Sequence, residues 1–322
     1  MTTHKLITGD ARHMSLIQDS SVQLIVTSPP YWQLKDYGAT DQIGFYDTYE
    51  AYINNLFLVF SECYRVLSDG CRLCIHIGDQ FARSVYYGRY KVVPIHSEVI
   101  RMCENLGFDY MGSIVWQKPT NMHTTGGQKV MGSYPYPRGG IVKIDFEHIL
   151  LFKKLGSAPY VSRANKQLSA LTDEEWHTYF SSHWNFPGAR QNCHIAAFPE
   201  ELPKRLIKMF SFVGDTVLDP FMGSGTTALA AQKIGRNSIG YEINPDFLGY
   251  YREKVIRSSD STYLFEVDNI PIDISSTMSR LPYRFIDVHK LERQVDFKEN
   301  TYGSGMEDNN VNKLRNDKVN SR

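Results

Sequence analysis

The sequence predicts an α/β fold: a mostly parallel, doubly wound sheet with helices on both faces. Three observations predict it. Short apolar runs alternate with amphipathic helical stretches along most of the 322 residues, the pattern of successive strand–helix–strand units. Two of those runs, 24–26 and 217–218, stop in turns rich in proline or glycine; in an open α/β sheet, ligands bind at such carboxyl ends of strands. Hydrophobic content of 42% and aromatic content of 13% suffice for one large core plus an inserted or appended module.

The elements follow in order. Residues 5–8 form a first strand before Gly9-Asp10, and a helical piece to Asp19 leads into the strand 24–26. Residues 49–67 place Tyr52, Leu56, Val59, Phe60, Tyr64 and Leu67 at helical spacing and end at Asp69-Gly70, a helix-stop pair. Residues 71–78 read as a buried strand, 93–106 as a helix entered at Pro94 and closed by Gly107, and 110–116 as a strand. Between 119 and 140 the pattern breaks into an irregular segment where basic and aromatic residues mix with Gly126-Gly127, Gly132, Pro135, Pro137 and Gly139-Gly140. Loops of that length inside a domain carry function or are disordered. A strand returns at 146–154, whereas 156–192 lacks clear alternation. A helix from Phe198-Pro199 to Phe212 then delivers the chain to the strand 216–219, a glycine turn, a further helix, the strand 237–242 and a helix to about Ile256. The stretch from Asp296 onward is polar and is expected to be disordered.

Composition excludes several classes. There is no apolar stretch of membrane-spanning length and no signal-peptide pattern at Met-Thr-Thr-His-Lys, so the expected location is cytoplasmic. The five cysteines (Cys63, Cys71, Cys74, Cys103, Cys193) lack a second C-x-x-C and read as buried thiols. None follows a proline. The histidines show no metal spacing, and no metal is expected. The formal net charge of +0 conceals a basic middle: residues 117–170 hold eight Lys/Arg against Asp145 and Glu147, 8 − 2 = +6.

Two motifs carry chemistry. In Thr27-Ser28-Pro29-Pro30-Tyr31-Trp32 the prolines lack N–H groups, fix φ and force the residue before each into an extended conformation. The Ser28 hydroxyl and the proline carbonyls are thereby held as acceptors, and a large ring follows. Such a corner suits a planar ligand with an exocyclic NH₂, a nucleobase amine. Trp32 either extends the stacking surface or packs under the loop. The second motif, Asp219-Pro220-Phe221-Met222-Gly223-Ser224-Gly225-Thr226-Thr227, lets backbone approach a ligand at a helix start. After it, Glu242 ends a strand, where a carboxylate can accept both hydroxyls of a ribose. Gly223 to Ala228 also matches the dinucleotide pattern G-x-G-x-x-A. Four residues between strand and first glycine, with a carboxylate that would repel a pyrophosphate, weigh against that alternative.

Ser-Pro-Pro-Tyr followed by this glycine turn and acid closely resembles the β-type DNA amino-methyltransferases of restriction–modification systems, over residues 5–256. The resemblance implies a Rossmann-like S-adenosylmethionine methyltransferase fold in permuted order, with the catalytic half first and S-adenosyl-L-methionine as cofactor. It implies catalytic roles for Ser28, Pro29, Pro30 and Tyr31. Cofactor contacts are implied at Asp10, beside the adenine, and at Asp219, Phe221, Gly223, Gly225, Thr226 and Glu242, with residues 198–202 lining the methionine end. A missing Pro-Cys pair excludes ring-carbon methylation. Serine in the first motif position resembles the cytosine-N4 enzymes more than the adenine-N6 enzymes, which usually carry Asp or Asn; both bases stay open, as do RNA and protein-glutamine substrates.

The expected organisation is a catalytic half at 1–118, a target-recognition region at 119–192 that includes the strand 146–154, a cofactor half at 193–257, an extension at 258–295 and a tail at 296–322. Arg89, Lys129, Arg138, Lys143, Arg163 and Arg190 are the candidates for DNA contacts. Double-stranded DNA is the expected partner, and a cognate restriction endonuclease would share the target site without needing to bind the chain.

Overall fold

The computed structural model describes residues 1–82, 84–117, 132–188, 198–256 and 261–288. In chain order the elements are β1 (Thr2–Thr8), β2 (Val22–Thr27), α1 (Tyr49–Val66), β3 (Leu67–Ile77), β4 (Gln80–Ala82), α2 (Ser84–Tyr87), β5 (Lys91–Val93), α3 (Ile95–Asn105), β6 (Phe108–Gln117) and β7 (Phe146–Lys154). They continue with α4 (Arg163–Leu168), α5 (Asp173–Tyr179), β8 (His183–Asn185), α6 (Glu201–Phe210), β9 (Thr216–Asp219), α7 (Thr226–Lys233), β10 (Asn237–Glu242), α8 (Phe247–Val255), β11 (Ser261–Val267) and α9 (Ile274–Ser279).

Nine strands form one sheet in the order β11-β1-β10-β9-β2-β3-β7-β6-β8. All pairings are parallel except β3–β7 and β6–β7. From β9 the chain winds through α7 to β10 on one side, and from β2 through α1 to β3 on the other. The winding therefore reverses between β9 and β2, and at such a switch point the strand ends open into a crevice. The core lies on both sheet faces. One cluster joins Leu24, Val26 and Cys74 to Trp116, Trp184, Leu206 and Ala230, all buried.

Four details depart from the expected elements. The expected helical piece up to Asp19 is a run of turns between β1 and β2. The helix 49–67 runs directly into β3 at Leu67, so Asp69-Gly70 lies inside that strand instead of ending the helix. Gly70 takes φ +73, and the pairing of β2 with β3 slips between Val22 and Leu24; the two residues mark an irregularity within a strand. The stretch 156–192 contains α4, α5 and β8, whose brevity hides their periodicity. In the extension, β11 pairs along all of β1.

The described residues divide into two compact units, one within 1–80 and 93–286, the other within 81–92 and 287–288. Within the described part of the second, the Tyr87 hydroxyl donates to Asp287 Oδ2 at 2.7 Å and Lys91 lies 4.3 Å from the Tyr87 ring centre. Cys63, Cys71, Cys74 and Cys103 are free and buried; Cys193 lies outside the described residues. No described helix is long and apolar enough to cross a membrane.

Candidate active site

β2 and β9 are neighbours, with Ile25 opposite Leu218, so Thr27-Ser28 and Asp219-Pro220 leave the sheet side by side. Thr27 Oγ1 donates to Asp219 Oδ1 at 2.8 Å, and Thr227 Oγ1 and the Phe221 N–H donate to the same carboxylate at 2.6 and 3.1 Å. This carboxylate ties the last residue of β2 to the turn and helix of the second motif. Burial pushes Asp219 up to about 6, against the lowering effect of its donors.

The Ser28–Tyr31 corner presents acceptors selectively. The Pro30 carbonyl accepts the Tyr52 hydroxyl at 2.9 Å, whereas no described residue donates to the Pro29 carbonyl. Pro29 itself is buried. Burial and the nearby Tyr37 and Asp47 hold Tyr52 in its neutral, donating form. Trp32 is 4% exposed, donates from Nε1 to the Asp47 carbonyl at 2.9 Å and packs 5.1 Å from Tyr49. Of its two expected uses, Trp32 takes the packing one.

Two residues here escaped the sequence reading. His76 on β3 places Nδ1 3.2 Å from Ser28 Oγ and Nε2 2.5 Å from Glu147 Oε2 on β7. The Tyr31 hydroxyl also donates to Glu147; burial first, then that carboxylate, pushes the phenol well above its ordinary value. Ser28, His76, Glu147 and Tyr31 form one chain of hydrogen bonds. Only the antiparallel register of β3 and β7, which sets Ile77 opposite His148, brings them together.

The second motif closes on itself. Gly223 and Gly225 take φ +51 and +87, conformations that cost other residues free energy. A Cβ on Gly225 would stand 2.6 Å from Tyr251 and 2.7 Å from Val255, while one on Gly223 would meet nothing within 4 Å. Helix α7 thus packs tightly on α8, and the loop ahead of it borders open space. Glu242, at the end of β10, accepts the Gly223 N–H at 2.8 Å and the Asn244 N–H at 3.0 Å. Burial pushes it up to about 7. Tyr37 lies close enough to Glu242 for the carboxylate to help push the phenol up to about 12, after burial. Asn244 Nδ2 donates to the Tyr37 carbonyl at 2.6 Å, so the loop after the tetrapeptide reaches the second motif. Thr226 and Ser224 receive Lys254 Nζ at 2.6 and 3.0 Å.

Asp10 stands beyond β1, where the Gly9 N–H donates to the Glu242 carbonyl at 3.0 Å. Its carboxylate is bound by Arg12 through Nε and Nη2, the latter at 2.6 Å, so it stands at the expected edge but already paired. Gly223 bordering open space and a carboxylate at the end of the next strand fit a nucleoside with a charged tail.

The DNA candidates divide. Arg138, in the 3-10 turn Pro137–Gly139, is exposed, and Lys143 precedes β7 at the carboxyl edge of the sheet. Arg163 stands at the other edge of the sheet. Helix α4 follows the far end of β7, and its Asn165 neighbours Gly214, ahead of β9; that is the amino edge, opposite the catalytic corner. Antiparallel β7 carries the chain across the sheet, an effect invisible in local charge. Arg89 is exposed, in the second unit; Lys129 and Arg190 lie outside the described residues.

The fold also gathers Asp79, His96 and His148, with ligand atoms within 4.8 Å. His96 Nδ1 and Asp79 are 2.7 Å apart, and the two imidazoles stack at 4.1 Å with planes 18° apart. Imidazole lone pairs lie in the ring plane, so stacked rings do not converge on one ion.

Comparison with known proteins settles the family. The N6/N4 family model described as DNA methylase matches residues 22–253. The chain belongs to this DNA methylase family. Type II methyltransferase M.MjaI of Methanocaldococcus jannaschii is 37% identical over 79% of this chain and 91% of its own length. M.MthZI of Methanothermobacter thermautotrophicus is 33% identical over 76% and 74%. Among solved structures, a putative DNA modification methylase from Thermus thermophilus, complexed with S-adenosyl-L-methionine, is 36% identical with a TM-score of 0.66 over 83% of this chain and all of its own. PvuII DNA methyltransferase (cytosine-N4-specific) shares the fold, with a TM-score of 0.58 over 87% and 94% at 19% identity. This DNA methylase is an S-adenosylmethionine-dependent methyltransferase acting on DNA, on a Rossmann-like, mostly parallel sheet.

Proposed function

We propose that the enzyme methylates the exocyclic N4 amine of a cytosine flipped out of duplex DNA. The observation that carries this reading is the join at Thr27–Asp219, 2.8 Å, which fixes an amine-accepting corner beside the cofactor turn. The turn from Asp219 through Phe221, Gly223, Gly225 and Thr226 would hold the cofactor, with Glu242 accepting its ribose hydroxyls and Asp10 closing the adenine end. Bound there, S-adenosylmethionine supplies an electrophilic methyl group.

An aromatic amine is a poor nucleophile because its lone pair is delocalised into the ring. Ser28 Oγ and the Pro29 carbonyl would accept its two N–H groups, favouring a tetrahedral nitrogen and localising that pair. Positioning and electrostatics then carry the step without a covalent enzyme intermediate. Within a duplex the amine is out of reach, so the base must leave the stack, and Tyr31 offers it a ring. The cytosine assignment rests on Ser28 in the first tetrapeptide position. Arg138 and Lys143, flanking the carboxyl edge, are assigned to DNA contacts, and the segment around them to target recognition. The cellular role is protection of a cytoplasmic DNA site from a restriction endonuclease that shares it.

Digesting methylated duplex DNA to nucleosides and identifying the product by mass spectrometry tests the assignment. N4-methylcytosine is the expected product. N6-methyladenine alone would reverse the choice of base, and methylation of RNA or protein but never of duplex DNA would remove the substrate.

A further inference from the structure

We infer that His76 and Glu147 form a proton relay behind Ser28, which orients the hydroxyl as an acceptor and takes up the proton that the amine loses. The inference rests on reading Ser28–Tyr31 as the amine-binding corner.

The hydrogen-bond inventory fixes the direction of the relay. The His76 side chain is 6% exposed, between Ser28 Oγ at 3.2 Å and Glu147 Oε2 at 2.5 Å. Trp116 and Phe198 wall the ring, with centroids 5.4 and 6.2 Å away. A carboxylate only accepts, so Nε2 carries the proton; a neutral imidazole then has its lone pair on Nδ1. The Ser28 hydroxyl donates to that lone pair, and its oxygen turns its own lone pairs toward the incoming amine. Protonation of Nδ1 alone would set two acceptors 2.5 Å apart at Glu147. Glu147 also holds Tyr31, so one carboxylate clamps the first and last residues of the tetrapeptide.

The same path accepts a proton. As the nitrogen–methyl bond forms, the sulfur–methyl bond breaks, its electron pair stays on sulfur, and the nitrogen holds one proton too many. That proton passes to Ser28 Oγ while the serine's own proton passes to His76 Nδ1. The resulting imidazolium faces the Glu147 carboxylate, and one proton per methyl group is released to solvent as the site reopens. His76 and Glu147 act through Ser28 and do not touch the base, so both are positioning residues.

The test uses the full-length protein, methyl-labelled S-adenosylmethionine and a duplex oligonucleotide, with His76→Asn and Glu147→Gln as variants. Asparagine can accept the serine hydroxyl at the Nδ1 position but cannot take its proton. The expected result for His76→Asn is a single-turnover rate lower by about 10²-fold or more, with cofactor and DNA dissociation constants within about threefold of wild type. A rate within about threefold of wild type overturns the relay. Independently of activity, nitrogen-15 NMR of the wild-type imidazole is expected to find the Nε2–H tautomer, with that preference weakened in Glu147→Gln, whose amide can either accept from Nε2 or donate to it. An Nδ1–H tautomer overturns the inference even where a variant fails to fold. Detection of N6-methyladenine instead of N4-methylcytosine changes the base and leaves both readouts valid. Wild type that methylates neither base defeats the proposed function and the proton transfer with it, while the tautomer still decides the orientation of the Ser28 hydroxyl.

Discussion

The two motifs meet at the Thr27–Asp219 hydrogen bond, among other links, and are built on opposite plans. The second motif is mostly local: between Asp219 and Glu242, carboxylates accept from nearby donors, the Gly223 N–H on Glu242 and the Thr227 hydroxyl on Asp219. The tetrapeptide corner is assembled from distant strands, taking Tyr52 from α1, His76 from β3 and Glu147 from β7. The difference teaches where each function resides. A self-satisfied turn supplies a fixed cradle, whereas a corner braced from behind can keep the Pro29 carbonyl and Ser28 Oγ facing a ligand.

The contrast can be broken at its strongest point first. Ser28→Ala removes an acceptor aimed at the amine, and kcat for DNA methylation should fall about 10²–10³-fold with cofactor affinity unchanged by isothermal titration. Retention of full activity would remove Ser28 from the catalytic step. In the cradle the expected damage is to folding. Gly225→Ala combines a left-handed backbone with contacts at 2.6 and 2.7 Å and should cost about 2–4 kcal/mol, read from urea denaturation.

A subtler difference concerns pH. Glu242 sits at about 7 because of burial, and ribose hydroxyls would bind its ionised form. Cofactor affinity should therefore weaken as pH falls below 7, by about tenfold per unit at the limit, and Glu242→Gln should bind weakly with a flat profile. In the ligand-free protein the sign reverses. Carboxylates whose folded values are raised, Asp219 to about 6 and Glu242 to about 7, give stability that is full below their unfolded values near 4. That contribution is lost as pH rises through 6 to 7, so the denaturation midpoint should carry a falling term across that window that Asp219→Asn reduces. The smallest effect separates the sheet edges: Arg138→Ala should weaken DNA binding and its salt dependence, and Arg163→Ala should leave both within about twofold.

Much of the fold was legible. Strand–helix alternation placed β2, β7, β9 and β10, because buried strands and amphipathic helices write their periods locally. Asp69-Gly70 misled because a glycine at positive φ ends helices and also interrupts strands. The position of Arg163 was not legible, because charge counted along the chain carries no information on which sheet edge the chain has reached. His76 and Glu147 could have been found only by asking which polar residues a strand buries, since an isolated histidine in an apolar run has no motif.

By itself the sequence determined the chemical alphabet: a rigid Ser-Pro-Pro-Tyr corner, a glycine turn and the acids at Asp219 and Glu242. These are legible because backbone constraints act between neighbours. The tertiary structure alone decided that the Pro30 carbonyl accepts the Tyr52 hydroxyl, that Trp32 packs away, and that Ser28 is backed by His76 and Glu147. Those outcomes depend on the register of β3 against β7 and on where α1 projects Tyr52, and strand register is set by the packing of the whole sheet.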